Sequence, residues 1–120
     1  MKDFKIAKEN HLLKLLLFKN FIVFVAAEKK VIVGGLTAYI LPSYYSKTSE
    51  VYIYDLAIKK NFQRKGIGKK LLQSLKAYCC QNDYKILFVQ ADEADAHALK
   101  FYQSTGGLPQ KVIQFSYLAG

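Results

Sequence analysis

The spacing of hydrophobic positions changes several times along this chain, and each change marks an expected element. Between Glu9 and Lys19, Leu12, Leu13, Leu15, Leu16 and Leu17 surround Lys14 and predict a helix packed on a core, with Asn10 as its cap. Phe21 to Ala27 is uniformly apolar and reads as a buried strand. Glu28, Lys29 and Lys30 form a charged turn, and Val31 to Ile40 is a second strand, so the two predict a hairpin. Gly34 and Gly35 inside the second strand mark a bulge or a close backbone approach. After a loop around Pro42 to Ser49, Val51 to Ile58 (VYIYDLAI) is β-branched and aromatic enough for a central strand.

The period then lengthens. From Gly66 to Gln81, Ile67, Leu71, Leu72, Leu75 and Tyr78 recur at helical spacing with lysines between them, which predicts an amphipathic helix. Lys85 to Ala91 (KILFVQA) reads as a buried strand and Asp95 to Ser104 as a short helix stopped by Gly106 and Gly107. Val112 to Leu118 reads as a closing strand. The order α-β-β-β-α-β-α-β predicts an α/β layer: a mixed central sheet flanked by helices, in one domain covering residues 1–120.

Composition agrees with a packed globular chain: of 120 residues, 52% are hydrophobic and 22% charged, with nine Tyr and eight Phe. No uncharged apolar run reaches the roughly 18 residues of a membrane span, since Lys19 and Asn20 separate Leu15–Phe18 from Phe21–Ala27. Asp3, Glu9 and Lys14 interrupt what a signal peptide would need as its apolar core, so a cytoplasmic location is expected. Cys79 and Cys80 are the two cysteines; neighbours on a helix point apart, so both are expected to be reduced and structural, with no metal site.

The formal charge of +9 favours an anionic partner, and its distribution is informative. Six basic residues and no acid fall between Lys59 and Lys70, whereas Asp92, Glu93 and Asp95 supply three of the nine acids. The basic stretch contains Gln63-Arg64-Lys65-Gly66-Ile67-Gly68, placed between a strand and a helix. A pyrophosphate needs converging backbone N–H groups; glycines allow close approach, and a helix start offers unpaired donors and a favourable dipole. On spacing alone an ordinary tight turn is the commoner reading. Neither G-x-x-x-x-G-K-[ST] nor G-x-G-x-x-G fits, because Leu71 stands where the third glycine of the latter would fall.

Leu56-Ala57-Ile58 followed by Gln63 to Gly68 resembles the strand and the Q/R-x-x-G-x-G/A loop of the GNAT superfamily of acetyltransferases. Ala98 to Gly106 (ALKFYQSTG) resembles its second motif, A-x-x-F-Y-x-x-x-G. More narrowly, Val33 to Pro42 (VGGLTAYILP), Glu50 to Ala57 (EVYIYDLA) and Val89 to Asp92 resemble the type I aminoglycoside 3-N-acetyltransferases, from about the first helix to Tyr117. That family has a strand and a helix ahead of the first helix seen here, so the domain is expected to lack them in full.

The resemblance implies an acetyl-CoA-dependent N-acetyltransferase acting by direct attack, with an aminoglycoside 3-amino group as acceptor and a role in antibiotic resistance. Coenzyme A would be held by Leu56, Ala57, Ile58, Gln63, Arg64, Lys65, Gly66, Ile67, Gly68 and Lys69. The strand at Leu56–Ile58 would splay from its neighbour, and an amide near Ala57 would donate to the thioester oxygen. Tyr102 fits the family's general acid; on helical spacing alone it would be a core aromatic. Asp55 is the one acid in an apolar and aromatic strand, which makes it the candidate base or anchor for the amine; the competing reading is a structural carboxylate paired with a lysine. Glu50, Tyr54, Asp92 and Asp95 would help hold a small polycationic amine, with solvated loop acids as the plain alternative. His11 and His97 read as surface residues.

Other readings keep the fold and change the acceptor to a polyamine, a metabolite amine or a protein amine, or remove catalysis and leave an acetyl-CoA-binding remnant. A nucleic-acid module is disfavoured, since the basic residues follow no recognition pattern. No nucleic-acid or membrane partner is therefore expected. A homodimer is a further expectation, because a partner copy would cover apolar surface left by the shortened N-terminus.

Overall fold

Strand pairing organises the first of two compact units, Met1–Gln90 and Ala91–Gly120. The computed structural model describes residue 14 and residues 16–120. Most of the first predicted helix, with Asn10 and His11, therefore lies outside the described residues, although Lys14, Leu16 and Leu17 are helical. Four strands follow: β1 (Phe21–Glu28), β2 (Val31–Leu41), β3 (Glu50–Ile58) and β4 (Ile86–Val89). They form one sheet in the order β1-β2-β3-β4. The first three are antiparallel, and β4 is parallel to β3. The chain reaches β4 through a 3-10 turn (Lys60–Phe62) and the helix α1 (Ile67–Gln81), the long connection that parallel neighbours require.

The expected β1–β2 hairpin is present, and its turn is tight: Glu28 faces Val31, leaving Lys29 and Lys30 as the loop, with φ of 51° and 67°. Two left-handed residues match the twist of a hairpin, but glycine and asparagine adopt that geometry at lower cost than lysine.

One sheet face carries the core. Ile22 lies opposite Ala38, Leu36 opposite Leu56, Ala38 opposite Ile53 and Ile40 opposite Val51, and all are buried. α1 covers this face with Leu71, Leu72, Leu75 and Cys79, the 3.6-residue spacing placing them on one side of the helix. Each buried leucine contributes about 1.5–3 kcal/mol relative to exposure. Cys79 and Cys80 are both free; burial, and then the neighbouring Cys80, raise the Cys79 thiol above its ordinary pKa, which suits an inert packing residue.

Two bulges interrupt the ladders. The β1–β2 register shifts between Ala26 and Ala27, leaving Val33 as the extra residue beside the expected Gly34. The second was not legible in the sequence: Thr37 faces Asp55 while Ala38 faces Ile53, so Tyr54 is extra in β3. An added residue exchanges the two faces downstream. Val51 and Ile53 point to the core before it, and Leu56 and Ile58 after it.

The second unit contains α2 (Ala96–Ser104), as expected. The predicted strand Val112–Leu118 is corrected: this segment pairs with no described strand, and Val112, Ile113, Phe115, Tyr117 and Leu118 are exposed. Its apolar content favours pairing, but a strand exists only where another backbone accepts its hydrogen bonds. Among the described residues, no helix is long and apolar enough to cross a membrane.

Replacing Lys29-Lys30 by Asn-Gly should relieve the turn and raise unfolding free energy by about 1 kcal/mol. Urea denaturation of the two chains measures it; an unchanged midpoint would show that the left-handed lysines carry no cost.

Candidate active site

The pairing of β3 with β4 runs through four rungs, from Glu50–Ile86 to Ile53–Val89, and stops. β3 itself continues to Ile58, paired on its other side with β2 as far as Gly34. The two strands thus form a fork, as the splay expected at Leu56–Ile58 requires.

The direction of the free groups follows from one hydrogen bond. Lys59 donates its N–H to the Val33 carbonyl at 2.8 Å, so the Ile58 carbonyl of the same trans peptide points away from β2, into the fork. Alternation along the strand then turns the amides of Ile58 and Leu56 into the fork and that of Ala57 towards β2. The proximity of the Ala57 oxygen to Gly34, 3.3 Å from where a Cβ would stand, agrees. The donor sought near Ala57 is narrowed to its two neighbours.

Gln63 fills a fork-side carbonyl at the strand end: its Nε2 donates to the Ile58 oxygen at 3.0 Å. Gln63 therefore ties the loop to the strand end. Past it the chain turns sharply, with Arg64 at φ 63° and Gly66 at φ 80°. α1 starts at Ile67 with no side-chain cap, so its first amides remain available. A side chain at Gly66 would meet nothing within 4 Å, so its glycine serves the left-handed backbone rather than close packing. Gly34 is the reverse case: a Cβ there would lie 2.6 Å from Ile58 Cδ1 and 3.5 Å from Ile67 Cγ2. Its missing side chain lets the end of β3 and the start of α1 meet over β2. Arg64, Lys65 and Lys69 are exposed, and Lys65 Nζ lies 5.2 Å from the Phe62 ring centroid.

The bulge at Tyr54 places Asp55 opposite Thr37, on the same sheet face as Tyr39 and Tyr52. Asp55 is half-buried, and among the described residues no lysine or arginine pairs with it. A row of rings crosses this face. Phe21 and Tyr39 lie 5.1 Å apart, Tyr39 and Tyr54 5.6 Å edge-on, Tyr54 and Tyr52 6.2 Å edge-on, and Tyr52 and Phe88 4.8 Å stacked. Tyr54 is the exposed member, and Glu50 stands on the same face opposite Leu41. Phe88 was missed in the sequence, where its hydrophobic character carried no chemical signal.

The model of the Acetyltransferase (GNAT) family matches residues 3–107. The chain belongs to the GNAT family of acetyltransferases.

This GNAT chain is similar to an aminoglycoside acetyltransferase from an uncultured soil metagenomic sample, solved in complex with sisomicin. The two are 45% identical with a TM-score of 0.90, over 100% of this chain and 80% of the other. A second aminoglycoside acetyltransferase from such a sample is 34% identical, with a TM-score of 0.87 over 97% and 77% of the two chains. N-alpha-acetyltransferase 60 of Xenopus tropicalis is 35% identical over 69 residues; the match spans 54% of this chain and 28% of that relative's length.

The remaining candidates belong to the second unit of the GNAT chain. Asp92 is exposed and accepts the Ala94 N–H at 2.9 Å through Oδ1, closing a local turn. Asp95 caps α2, its Oδ1 accepting the Ala98 N–H at 3.0 Å. Tyr102 lies on α2, half-buried, 5.2 Å from Phe101 in an edge-on contact. Its carbonyl accepts the Gly107 N–H at 2.8 Å, where a Cβ on Gly107 would stand only 2.9 Å from that oxygen. Gly107, the residue after the motif's Gly106, thus closes the helix under Tyr102.

The Ala98 hydrogen bond, first among its causes, holds the Asp95 carboxyl below its ordinary pKa. A depressed folded value means that the cap's stabilisation is present above about pH 4 and is lost as pH falls through the folded value. Asp95→Ala should accordingly loosen the first turn of α2 at neutral pH and remove its response to acid. Amide chemical shifts of Ala96 to Leu99 followed from pH 7 to 2 would show both effects; an identical acid response in the variant would discard the cap as its origin.

Proposed function

We propose that this GNAT acetyltransferase transfers acetyl from acetyl-CoA to an amino group of a small polycationic amine, the 3-amino group of an aminoglycoside. The observation that carries the reading is the fork, whose free backbone amides at Leu56 and Ile58 run into a basic loop and an uncapped helix start. Residues there fit coenzyme A in kind: neutral backbone donors for an amide-containing arm, then backbone N–H groups with Arg64, Lys65 and Lys69 for a pyrophosphate. Bound acetyl-CoA would supply the acetyl thioester that the amine attacks directly.

The protein's own groups would do the following. The amides of Leu56 and Ile58 orient the arm in the fork, and the amide on the acyl side polarises the thioester oxygen. Gly66, Ile67, Gly68 and Lys69 present the loop and first-turn N–H groups to the pyrophosphate, and Gln63 keeps that loop against β3. Asp55 draws the acceptor's ammonium to the sheet face beside the fork and accepts its proton at a carboxylate oxygen, leaving a nucleophilic nitrogen. Glu50 adds negative charge and Tyr54 an exposed aromatic face for the polycation. The resemblance alone supports Asp92 and Asp95 as further acids for the polycation. Tyr102 Oη is the proton donor to the leaving thiolate, an assignment that rests on the A-x-x-F-Y-x-x-x-G motif. The similarity to aminoglycoside acetyltransferases supports the acceptor class.

Thiol release from acetyl-CoA, measured with sisomicin, with spermidine, with a peptide bearing a free N-terminus and without amine, tests the proposal. Sisomicin-dependent release and a product acetylated at the 3-amino group by NMR are expected. Release with spermidine or the peptide alone would reassign the acceptor, and no release at all would leave an acetyl-CoA-binding remnant. Asp55→Asn should lower kcat by about 10²–10⁴-fold with acetyl-CoA affinity retained. Full activity in that variant would remove Asp55 from the chemistry.

A further inference from the structure

The fork opens at one rung, and side chains of both strands meet there. Tyr52 faces Phe88 across the β3–β4 ladder, one rung before the last pair, Ile53–Val89. Their rings stack at 4.8 Å with 12° between planes. The Tyr52 hydroxyl then reaches past the last rung and donates to Gln90 Oε1 at 2.8 Å. Gln90 is the first residue beyond β4. A single side chain of β3 thus holds its neighbour strand twice, at the last-but-one rung by stacking and at the point of departure by a hydrogen bond.

We propose that Tyr52, Phe88 and Gln90 form a clamp that sets the opening of the fork, and that Tyr52 and Gln90 are positioning residues for coenzyme A binding. This rests on the acetyl-CoA reading of the fork. A parallel ladder extends as long as backbone partners stay in register. The extra residue Tyr54 breaks the register on β3, and the Tyr52–Gln90 bond fixes where the departing strand goes instead of leaving it to fray. The point at which the chain leaves the side of β3, at Gln90, is then set by a side-chain length. Glutamine reaches the phenol as an amide acceptor, and its own backbone remains beyond the ladder. Tyr52 also meets the edge of Tyr54, next to Asp55, so the same ring steadies the acceptor side of the strand.

The test uses the full chain and coenzyme A as the probe, titrated by calorimetry into wild type, Tyr52→Phe, Gln90→Met, the double variant and Gln90→Glu. Tyr52→Phe keeps the stack and removes the hydroxyl; Gln90→Met keeps the length and removes the acceptor. Each should weaken coenzyme A binding about three- to tenfold, the range of one lost hydrogen bond. The double variant should be no weaker than either single one, since both remove the same bond. Gln90→Glu restores an acceptor oxygen and should recover most of the affinity. In the ligand-free chain, amide hydrogen exchange should quicken at Val89 to Ala91 in both apolar variants and stay unchanged in β1. Affinities equal to wild type, losses that add in the double variant, or no recovery with glutamate would overturn the clamp while leaving the acetyl-CoA reading in place. Absence of coenzyme A binding by wild type would overturn that reading, and the clamp's role with it.

Discussion

A strand that keeps one neighbour and loses the other exposes backbone groups which must find partners, and much of this site follows from that condition in β3. Its β2 side is paired to the end, while its β4 side is released after Ile53. The release converts a structural ladder into a row of fixed donors, already oriented because β2 holds the strand rigid. Such donors have little freedom left to lose when a ligand arrives, which is the basis of preorganised binding. A flexible loop offering the same amides would bind less well for that reason.

The Tyr54 bulge and the loop after β3 exploit this condition. Without the extra residue, Asp55 would continue the inward series of Val51 and Ile53 and enter the apolar core under α1, where an ion is costly. With it, the carboxylate sits on the open face and Leu56 and Ile58 resume the core. One inserted residue therefore keeps the core apolar and the carboxylate on the open face. Beyond Ile58, Gln63 and Gly34 act on the same few ångströms: the side-chain amide draws the loop back onto the strand, and the absent side chain lets α1 begin there. Arg64, Lys65 and Lys69 remain exposed, available to an anion.

Membership of the GNAT family accounts for the architecture, and the similarity to aminoglycoside acetyltransferases directs attention to the acidic and aromatic face beside the fork. That face has features suited to a hydrated polycation. It offers a half-buried carboxylate, a second acid along the same strand, and a ring held edge-on by two others so that its own surface is presented. Each is a property of β3 and its immediate neighbours.

What was legible in the sequence was local. The hairpin, the central strand, α1, α2 and the glycine turn that opens α1 could be read because periodicity, turn chemistry and glycine placement act within a few residues. Several outcomes depended on partners far along the chain. The apolar segment Val112–Leu118 reads as a strand yet pairs with none described. Tyr54 looks like one more alternating aromatic yet is a bulge. Gln63 looks like a ligand residue yet its side chain holds a carbonyl of β3, and Asp95 has its carboxylate engaged as a helix cap. The sequence by itself determined which chemical groups are present and which segments could be helix or strand, because those preferences are set by side-chain shape and polarity. The tertiary structure alone decided where the β3–β4 ladder ends and which face Asp55 occupies, because hydrogen-bond register is settled between backbones that meet only when the chain has folded.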